Sequence, residues 1–174
     1  FANVLRERPD LRDRIIVIHG ASKTYSMTGW RIGFTLAQQP LIKKMATLQG
    51  QSTSNPTAFA QHGALAAVSS DHTFLETWLA AYDARRQRIV DGLNAIDGVR
   101  CARPGGAFYV FPKIKKENMN SVEISKYLLE KKFIATVPGS SFGKNGEGFL
   151  RVSYASAQEN LEKFIICLKD FMNE

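Results

Sequence analysis

The apolar residues of the chain follow two different periods, which predicts a mixture of strands and helices. Residues 15–18 form a wholly apolar, β-branched run, the pattern of a strand buried on both faces of a parallel sheet. A second strand is expected at residues 31–37, and Pro40 opens a helix. Residues 51–56 are polar and rich in turn formers, so they predict a break before a further helix at residues 57–68.

The longest periodic segment predicts a helix that could join two domains. Ser70 or Asp71 is placed to cap it, and Gly98 is placed to end it. Its apolar positions recur at helical spacing, namely Phe74, Trp78, Tyr82, Ile89, Leu93 and Ile96. At 1.5 Å per residue such a helix reaches roughly 35–40 Å, which is longer than one compact domain needs.

Shorter elements after Gly98 predict a small α+β domain. They comprise a helix at residues 121–132 and strands near residues 107–111, 134–137 and 149–154. The final helix has the clearest pattern in the sequence, because Ser156 and Glu159 match a capping box at its start. Its apolar face consists of Leu161, Phe164, Ile165, Leu168, Phe171 and Met172.

Composition and charge narrow the function only slightly. The 174 residues, 44% of them hydrophobic, suffice for one large domain or two small ones, and no apolar run approaches the length of a membrane span. The net charge of +7 is spread along the chain without interleaved aromatics, so we expect a solvated surface and no nucleic-acid partner. Cys101 and Cys167 lie in no metal-binding pattern, which predicts reduced thiols in a cytoplasmic protein, with Cys167 on a buried helix face.

The candidate chemistry lies in residues 20–33, directly after the first strand. An imine-forming lysine needs partial desolvation or a nearby cation, and Lys23 at the end of a buried strand meets the first condition. Arg31 supplies a cation and a bidentate fork for a phosphate, and Ser22 adds a hydroxyl donor. Without its flanking pattern, the segment would be interpreted more simply as an ordinary loop lysine and a strand-end arginine.

That flanking pattern resembles the Schiff-base lysine signature of the class I and II aminotransferases, enzymes of fold type I that use pyridoxal 5'-phosphate (PLP). The signature is Gly or Ser, any residue, a small residue, Lys, and then Gly-x-Arg-x-Gly; every element is present. Residues 27–33 are most similar to the bacterial-type aspartate aminotransferase branch. The resemblance implies that Lys23 holds PLP as a Schiff base and serves as general base, and that Ser22 and Arg31 bind the cofactor. Gly20 departs from the pattern, because some relatives place a second phosphate-binding serine there.

A second signature lies on the last predicted strand. Arg151 and Ser153 share one face of it, opposite the apolar residues. An arginine held on a strand suits a carboxylate, although a salt bridge with a nearby acid is the alternative. The family has its substrate-carboxylate arginine in an Arg-x-Ser-aromatic strand before the last helix, so the resemblance implies that role for Arg151. Residues 104–109 and 137–143 also match the family in order and spacing.

For the whole chain, the resemblance implies an α/β fold with three parts. Residues 1–70 would be the C-terminal part of the large PLP-binding domain, residues 71–98 a connecting helix, and residues 99–174 the small α+β C-terminal domain. Other groups of the family's site precede the lysine, and the chain begins at Phe1. We therefore expect it to be part of a longer enzyme and inactive alone.

The resemblance also implies the reaction and its partners. The reaction is amino-group transfer between an amino acid and a 2-oxo acid in a homodimer, with Ser54 and Asn55 near the dimer interface. Two alternatives stay open: a PLP-dependent carbon–sulfur lyase, in which Lys23 and Arg31 would look the same, and a non-enzymatic binding module of the same fold.

Overall fold

The structure is a computed structural model that describes residues 4–174; positions 1–3, with which the first predicted domain begins, lie outside the described residues. The chain divides into two compact units, one ending at His72 and the other beginning at Thr73, and both contain helices and strands. The predicted division with a connecting helix at residues 71–98 stays a prediction. Within residues 4–174 no helix has the length and apolar character of a membrane span.

The first unit is built around one pair of antiparallel strands. Strand β1 (Val17–Gly20) pairs with β2 (Gly33–Leu36), so that Gly20 lies opposite Gly33. The helices of this unit are α1 (Val4–Glu7), α2 (Gln39–Ser52) and α3 (Ala58–Ser69), with 3-10 turns at Pro9–Arg14 and Thr28–Trp30.

The predicted strand buried on both faces of a parallel sheet is not found for β1 within residues 4–174. Among the described residues β1 pairs with β2 alone, and the pairing is antiparallel. Ile16 and Ile18 are 52% and 78% exposed. The β-branched run still forms a strand because its side chains favour extended backbone. Its composition could not show that the described part of the chain leaves these side chains uncovered.

The second unit packs three helices against short antiparallel strands. Its helices are α4 (Phe74–Asn94), α5 (Ser121–Lys132) and α6 (Gln158–Asn173). Its strands are β3 (Val99–Arg100), β4 (Tyr109–Val110), β5 (Lys113–Ile114), β6 (Val137–Pro138) and β7 (Leu150–Ser153). Strand β3 pairs with β5, and β7 lies between β4 and β6. Two 3-10 turns, Gly139–Phe142 and Lys144–Gly146, connect β6 to β7.

The second unit has a continuous core, and α6 supplies one side of it. The apolar face predicted for this helix is confirmed by the burial of Leu161, Phe164, Ile165, Leu168 and Phe171. The second half of α4 faces the same core with Ile89, Val90 and Leu93. In the described part of the first unit, the buried apolar side chains are Ala21, Met27 and Ala60. Burying a large apolar side chain contributes roughly 1.5–3 kcal/mol, so most of the packing energy lies in the second unit.

The predicted boundaries of two helices differ from the structure. Helix α4 has 21 residues and spans about 31 Å, less than the predicted length, because it begins at Phe74 and ends at Asn94, before Gly98. The cap predicted at Ser70 or Asp71 is wrong: the N-cap of α4 is Thr73, which makes no side-chain cap hydrogen bond. The capping box predicted at Ser156 is wrong: the N-cap of α6 is Ala157, which has no side-chain cap. Ser156 lies one position earlier, and its Oγ accepts a hydrogen bond from the Asn160 side chain at 3.0 Å.

Candidate functional site

The loop between β1 and β2, residues 21–32, carries all three residues predicted to bind the cofactor. Ser22 is half-buried, whereas Lys23 and Arg31 are exposed. Thr28 Oγ1 donates to the Ser22 carbonyl oxygen at 3.1 Å, and Arg31 Nη1 donates to the Thr28 carbonyl oxygen at 3.1 Å. Arg31 adopts a left-handed φ of 51°, an uncommon conformation for a residue with a side chain. Thr28 therefore links the two ends of the candidate cofactor-binding segment.

The partial burial predicted for Lys23 is not found, because the strand that precedes it is itself largely exposed. The donor set nevertheless fits PLP. Lys23 offers a primary amine for an aldehyde, and Arg31 offers a planar guanidinium for a phosphate. Within residues 4–174 Arg31 forms no salt bridge with an acid, so its charge is not neutralised by a described carboxylate.

Two aromatic side chains fix the lysine loop to α3. The Trp30 ring packs on Gly63, where a Cβ atom would overlap the ring, and it meets Phe59 edge-on with centroids 6.1 Å apart. Tyr25 Oη lies 3.2 Å from Nε2 of His72, just beyond the end of α3. Sequence analysis missed these anchors. The available signal was Gly63, since a glycine inside a helix often marks a close contact.

Strand β7 presents Arg151 on the face opposite its buried residues, as predicted, and Arg151 is half-buried. Its guanidinium carbon lies 4.5 Å from the centroid of the Tyr109 ring and 5.2 Å from that of the Phe142 ring. Within the described part of the chain Arg151 forms no salt bridge, so the alternative of a structural ion pair is not found there. An arginine held by aromatic rings keeps its N–H groups available for an anion.

Tyr109 follows a turn that is held from two sides. Arg86 Nη1 donates to the Pro104 carbonyl oxygen at 2.9 Å, and Tyr154 Oη donates to the Ala107 carbonyl oxygen at 2.8 Å. Burial raises the pKa of Tyr154, which keeps its hydroxyl protonated as the donor. The turn that matches the family in sequence thus positions one ring beside Arg151.

The two cysteines and the possible metal ligands form no second candidate site within the part of the chain that the structure describes. Cys101 and Cys167 are free thiols, and Cys167 is half-buried rather than on a buried face. Among residues 4–174 no group of three or more His, Cys, Asp or Glu side chains could hold a metal ion. Lys23 and its neighbours lie in the first unit, and Arg151 lies in the second.

Comparison with known proteins gives a consistent set of relatives. The sequence profile described as "Aminotransferase class I and II" matches residues 2–166. An aspartate/prephenate aminotransferase from Nitrosomonas europaea is 38% identical over 95% of this chain and 44% of its own length. The crystal structure of the aspartate aminotransferase from Rhizobium meliloti superposes with a TM-score of 0.91 at 35% identity, covering 99% of this chain and 45% of that one.

A further solved structure differs in its named substrate class. The aromatic aminotransferase from Pyrococcus horikoshii has a TM-score of 0.86 and 36% identity, over 93% of this chain and 44% of that one. The α/β fold is therefore similar to that of aminotransferase structures. The chain spans less than half the length of the relatives it matches.

Proposed function

From the premise that the chain belongs to the class I and II aminotransferase family, we propose that the protein transfers an amino group between an amino acid and a 2-oxo acid, with PLP as cofactor. Lys23 would hold the cofactor through its amine, and Ser22 and Arg31 would bind the cofactor phosphate. When bound, PLP supplies an electron sink for the charge left at the substrate α-carbon after its proton is removed.

The environment of Arg151 is the observation that carries this proposal. Its guanidinium lies beside the Tyr109 and Phe142 rings and pairs with no acid among the described residues. Keeping a half-buried arginine unpaired costs free energy, which an incoming carboxylate would recover. We assign to Arg151 the binding of the substrate α-carboxylate.

Lys23 would also move the proton. Its primary amine would serve as the general base that takes the substrate α-proton, a role that a positioned lysine can perform. Its place beside Ser22 on a loop tied by Thr28 would limit how far it moves between these two roles.

The assembly and location of the whole protein belong to the same proposal. We propose a cytoplasmic homodimer. Leu48 and Phe59, on either side of the polar turn that contains Ser54, are 72% and 69% exposed, which supports a covered surface there. The free thiols of Cys101 and Cys167 suit a reducing compartment.

Cofactor attachment tests the central assignment. The sample is the longest natural polypeptide that contains this sequence, loaded with PLP. Borohydride reduces the lysine–cofactor bond and makes it permanent, and peptide mass spectrometry then locates the modified lysine. We expect the modification at Lys23, its loss in Lys23→Ala, and an unchanged pattern in Lys44→Ala, which removes an exposed α2 lysine. Attachment to another lysine would overturn the proposal.

Turnover separates amino transfer from elimination. Keto-acid formation from a panel of amino acids is measured with and without a 2-oxo acid acceptor. We expect product only with the acceptor beyond the first turnover, and a loss of about 100-fold or more in kcat for Lys23→Ala, since a positioned base typically contributes that much. Sustained product without an acceptor would indicate a carbon–sulfur lyase or a related elimination.

A further inference from the structure

Polar groups hold the segment that carries Phe142. The family assignment gives these groups no role in the environment of Arg151. The 3-10 turn Gly139–Phe142 lies between β6 and Gly143. Its first residue is in direct backbone contact with Gly146: a Cβ on Gly139 would overlap the Gly146 carbonyl oxygen, and the reverse is also true. The turn is therefore pressed against the segment that contains Glu147, so groups that fix Glu147 also fix the turn.

Glu147 is an acceptor for three donors. Its Oε1 accepts from the backbone N–H of Ser121 at 2.7 Å and of Gly148 at 2.9 Å, and its Oε2 lies 3.0 Å from Ser121 Oγ. These hydrogen bonds lower the pKa of Glu147, with the Ser121 N–H as the largest cause. Because Ser121 is the first residue of α5, the carboxylate also lies at the positive end of that helix.

The hydroxyl of Ser121 extends this contact to the turn. Ser121 is 1% exposed, and its Oγ lies 3.1 Å from Ser140 Oγ. A hydroxyl has one proton, and a carboxylate can only accept. The Ser121 proton therefore points to Glu147, and Ser140 donates its own proton to Ser121. The resulting chain runs from Glu147 through two serines into the turn that ends at Phe142.

Phe142 connects the turn to Arg151. The Phe142 ring is 54% exposed, so burial alone does not hold it in place. It meets Phe111 edge-on with centroids 5.8 Å apart and lies 5.2 Å from the Arg151 guanidinium carbon. A shift of the backbone at Ser140 would move the ring away from the guanidinium. The polar chain from Glu147 therefore ends in the turn whose Phe142 ring lies beside Arg151.

We propose that Glu147 is a positioning residue for the substrate carboxylate: through Ser121 and Ser140 it fixes the turn that holds the Phe142 ring against the Arg151 guanidinium. This inference rests on the proposed carboxylate-binding role of Arg151. It predicts that weakening the polar chain changes substrate affinity more than the rate of the chemical step, because the affected contact orients a binding group.

The variants separate the polar chain from general stability. Glu147→Ala removes the acceptor, and Ser140→Ala removes only the link to the turn. Glu147→Gln is the conservative variant: its amide oxygen can accept the two backbone N–H groups, and its NH2 can donate to Ser121, whose proton then turns to Ser140. Glu162→Gln is the matched control, because Glu162 pairs with Arg88 in the same unit, and no hydrogen bond or ion pair found within residues 4–174 joins it to the turn.

The first measurement is independent of turnover. Phenylglyoxal modifies accessible guanidinium groups, and peptide mass spectrometry gives its rate at Arg151 relative to the exposed Arg103 in the same sample. In the longest natural polypeptide that contains this sequence, loaded with PLP, we expect Glu147→Ala and Ser140→Ala to raise the relative rate of Arg151 modification several-fold. Glu147→Gln and Glu162→Gln should stay near the parent protein.

The second measurement is the split between KM and kcat for the best amino acid of the panel. We expect KM to rise roughly tenfold in Glu147→Ala and less in Ser140→Ala, with kcat within about threefold. Unchanged Arg151 modification in both variants would overturn the inference, whatever happens to KM. If Glu147→Ala does not fold, Ser140→Ala decides the outcome alone.

A failure of the proposed carboxylate-binding role of Arg151 would give a different experimental result. If the amino acid does not protect Arg151 from phenylglyoxal and Arg151→Lys leaves KM unchanged, the carboxylate role of Arg151 is wrong. A faster modification in Ser140→Ala would then still show that the turn shields Arg151, but the positioning role for the substrate would be overturned with the function.

Discussion

Single residues differ in chemistry according to neighbours that are distant in sequence, and the two cysteines show this most simply. Cys101 is buried in the core of the second unit, and desolvation raises the pKa of its thiol to about 11. Cys167 is half-buried on α6 and lines a groove of about 750 Å³. The sequence predicted a free thiol at each position but placed the buried one wrongly.

Alkylation at pH 8 should therefore distinguish the two thiols. We expect iodoacetamide to modify Cys167 at least about tenfold faster than Cys101, because a thiol with a pKa near 11 has roughly one thiolate in a thousand molecules at that pH. Raising the pH toward 10 should accelerate Cys101. Peptide mass spectrometry measures both rates, and Cys167→Ser should leave only the slow site. Equal rates in the parent protein would contradict the assignment.

The residue scale also separates what sequence can and cannot predict about the site. The alternation along β7 correctly placed Arg151 opposite the buried residues, because strand geometry is local. The rings of Tyr109 and Phe142 come from other segments, and no local pattern indicated that they meet Arg151. The burial expected for Lys23 failed for the same reason, since burial depends on what covers a strand.

At the scale of elements, helix caps were harder to predict than helix faces. The apolar face of α6 was predicted correctly, but its capping box was not. A complete capping box occurs instead on α5, where Asn120 accepts from the Glu123 backbone N–H at 3.0 Å and Glu123 Oε2 accepts from the Asn120 N–H at 2.8 Å. Both helices carry a suitable residue followed by Glu three positions later. The difference lies in where the helix begins. Helix α6 has its N-cap at Ala157, so Ser156 lies one residue before the position from which it could form the box.

The contact between the lysine loop and α3 makes a test at the same scale. Gly63→Ala would place a methyl group against the Trp30 ring and displace it, and the loop that carries Lys23 would shift with it. We expect PLP affinity, measured by titration of absorbance, to fall roughly tenfold. Gly50→Ala in α2 is the matched control, because a Cβ there meets no atom of residues 4–174 within 4 Å. Equal PLP affinity in the two variants would show that the loop does not depend on this contact.

At the scale of the whole molecule, packing energy is distributed unevenly between the two units. The continuous apolar core belongs to the second unit. In the described part of the first unit, large apolar side chains such as Ile18, Leu48 and Phe59 are exposed. The sequence pattern predicted an α/β fold with a small α+β C-terminal domain, but it could not predict this imbalance, because apolar content does not show which surfaces meet.

Hydrogen exchange should report the imbalance. In a chain of these 174 residues, we expect amides in α6 and the second half of α4 to be protected at least about 100-fold more than those of β1 and β2, since exchange protection follows local stability. Mass spectrometry of peptic peptides measures the rates. In the longest natural polypeptide that contains this sequence, the exchange protection of amides in β1 and β2 should rise if other segments cover these strands. Uniform protection in the short chain would contradict the expected difference.

The backbone contact of Gly139 with Gly146 has a consequence for reading other sequences. Neither position has space for even a methyl group, so a substitution at one cannot be compensated by a smaller residue at the other. Replacing either glycine therefore requires the backbone to follow a different path at this point. In a set of aminotransferase sequences with different substrates, this glycine pair would identify the members that share this loop path, whatever amino acid each one converts.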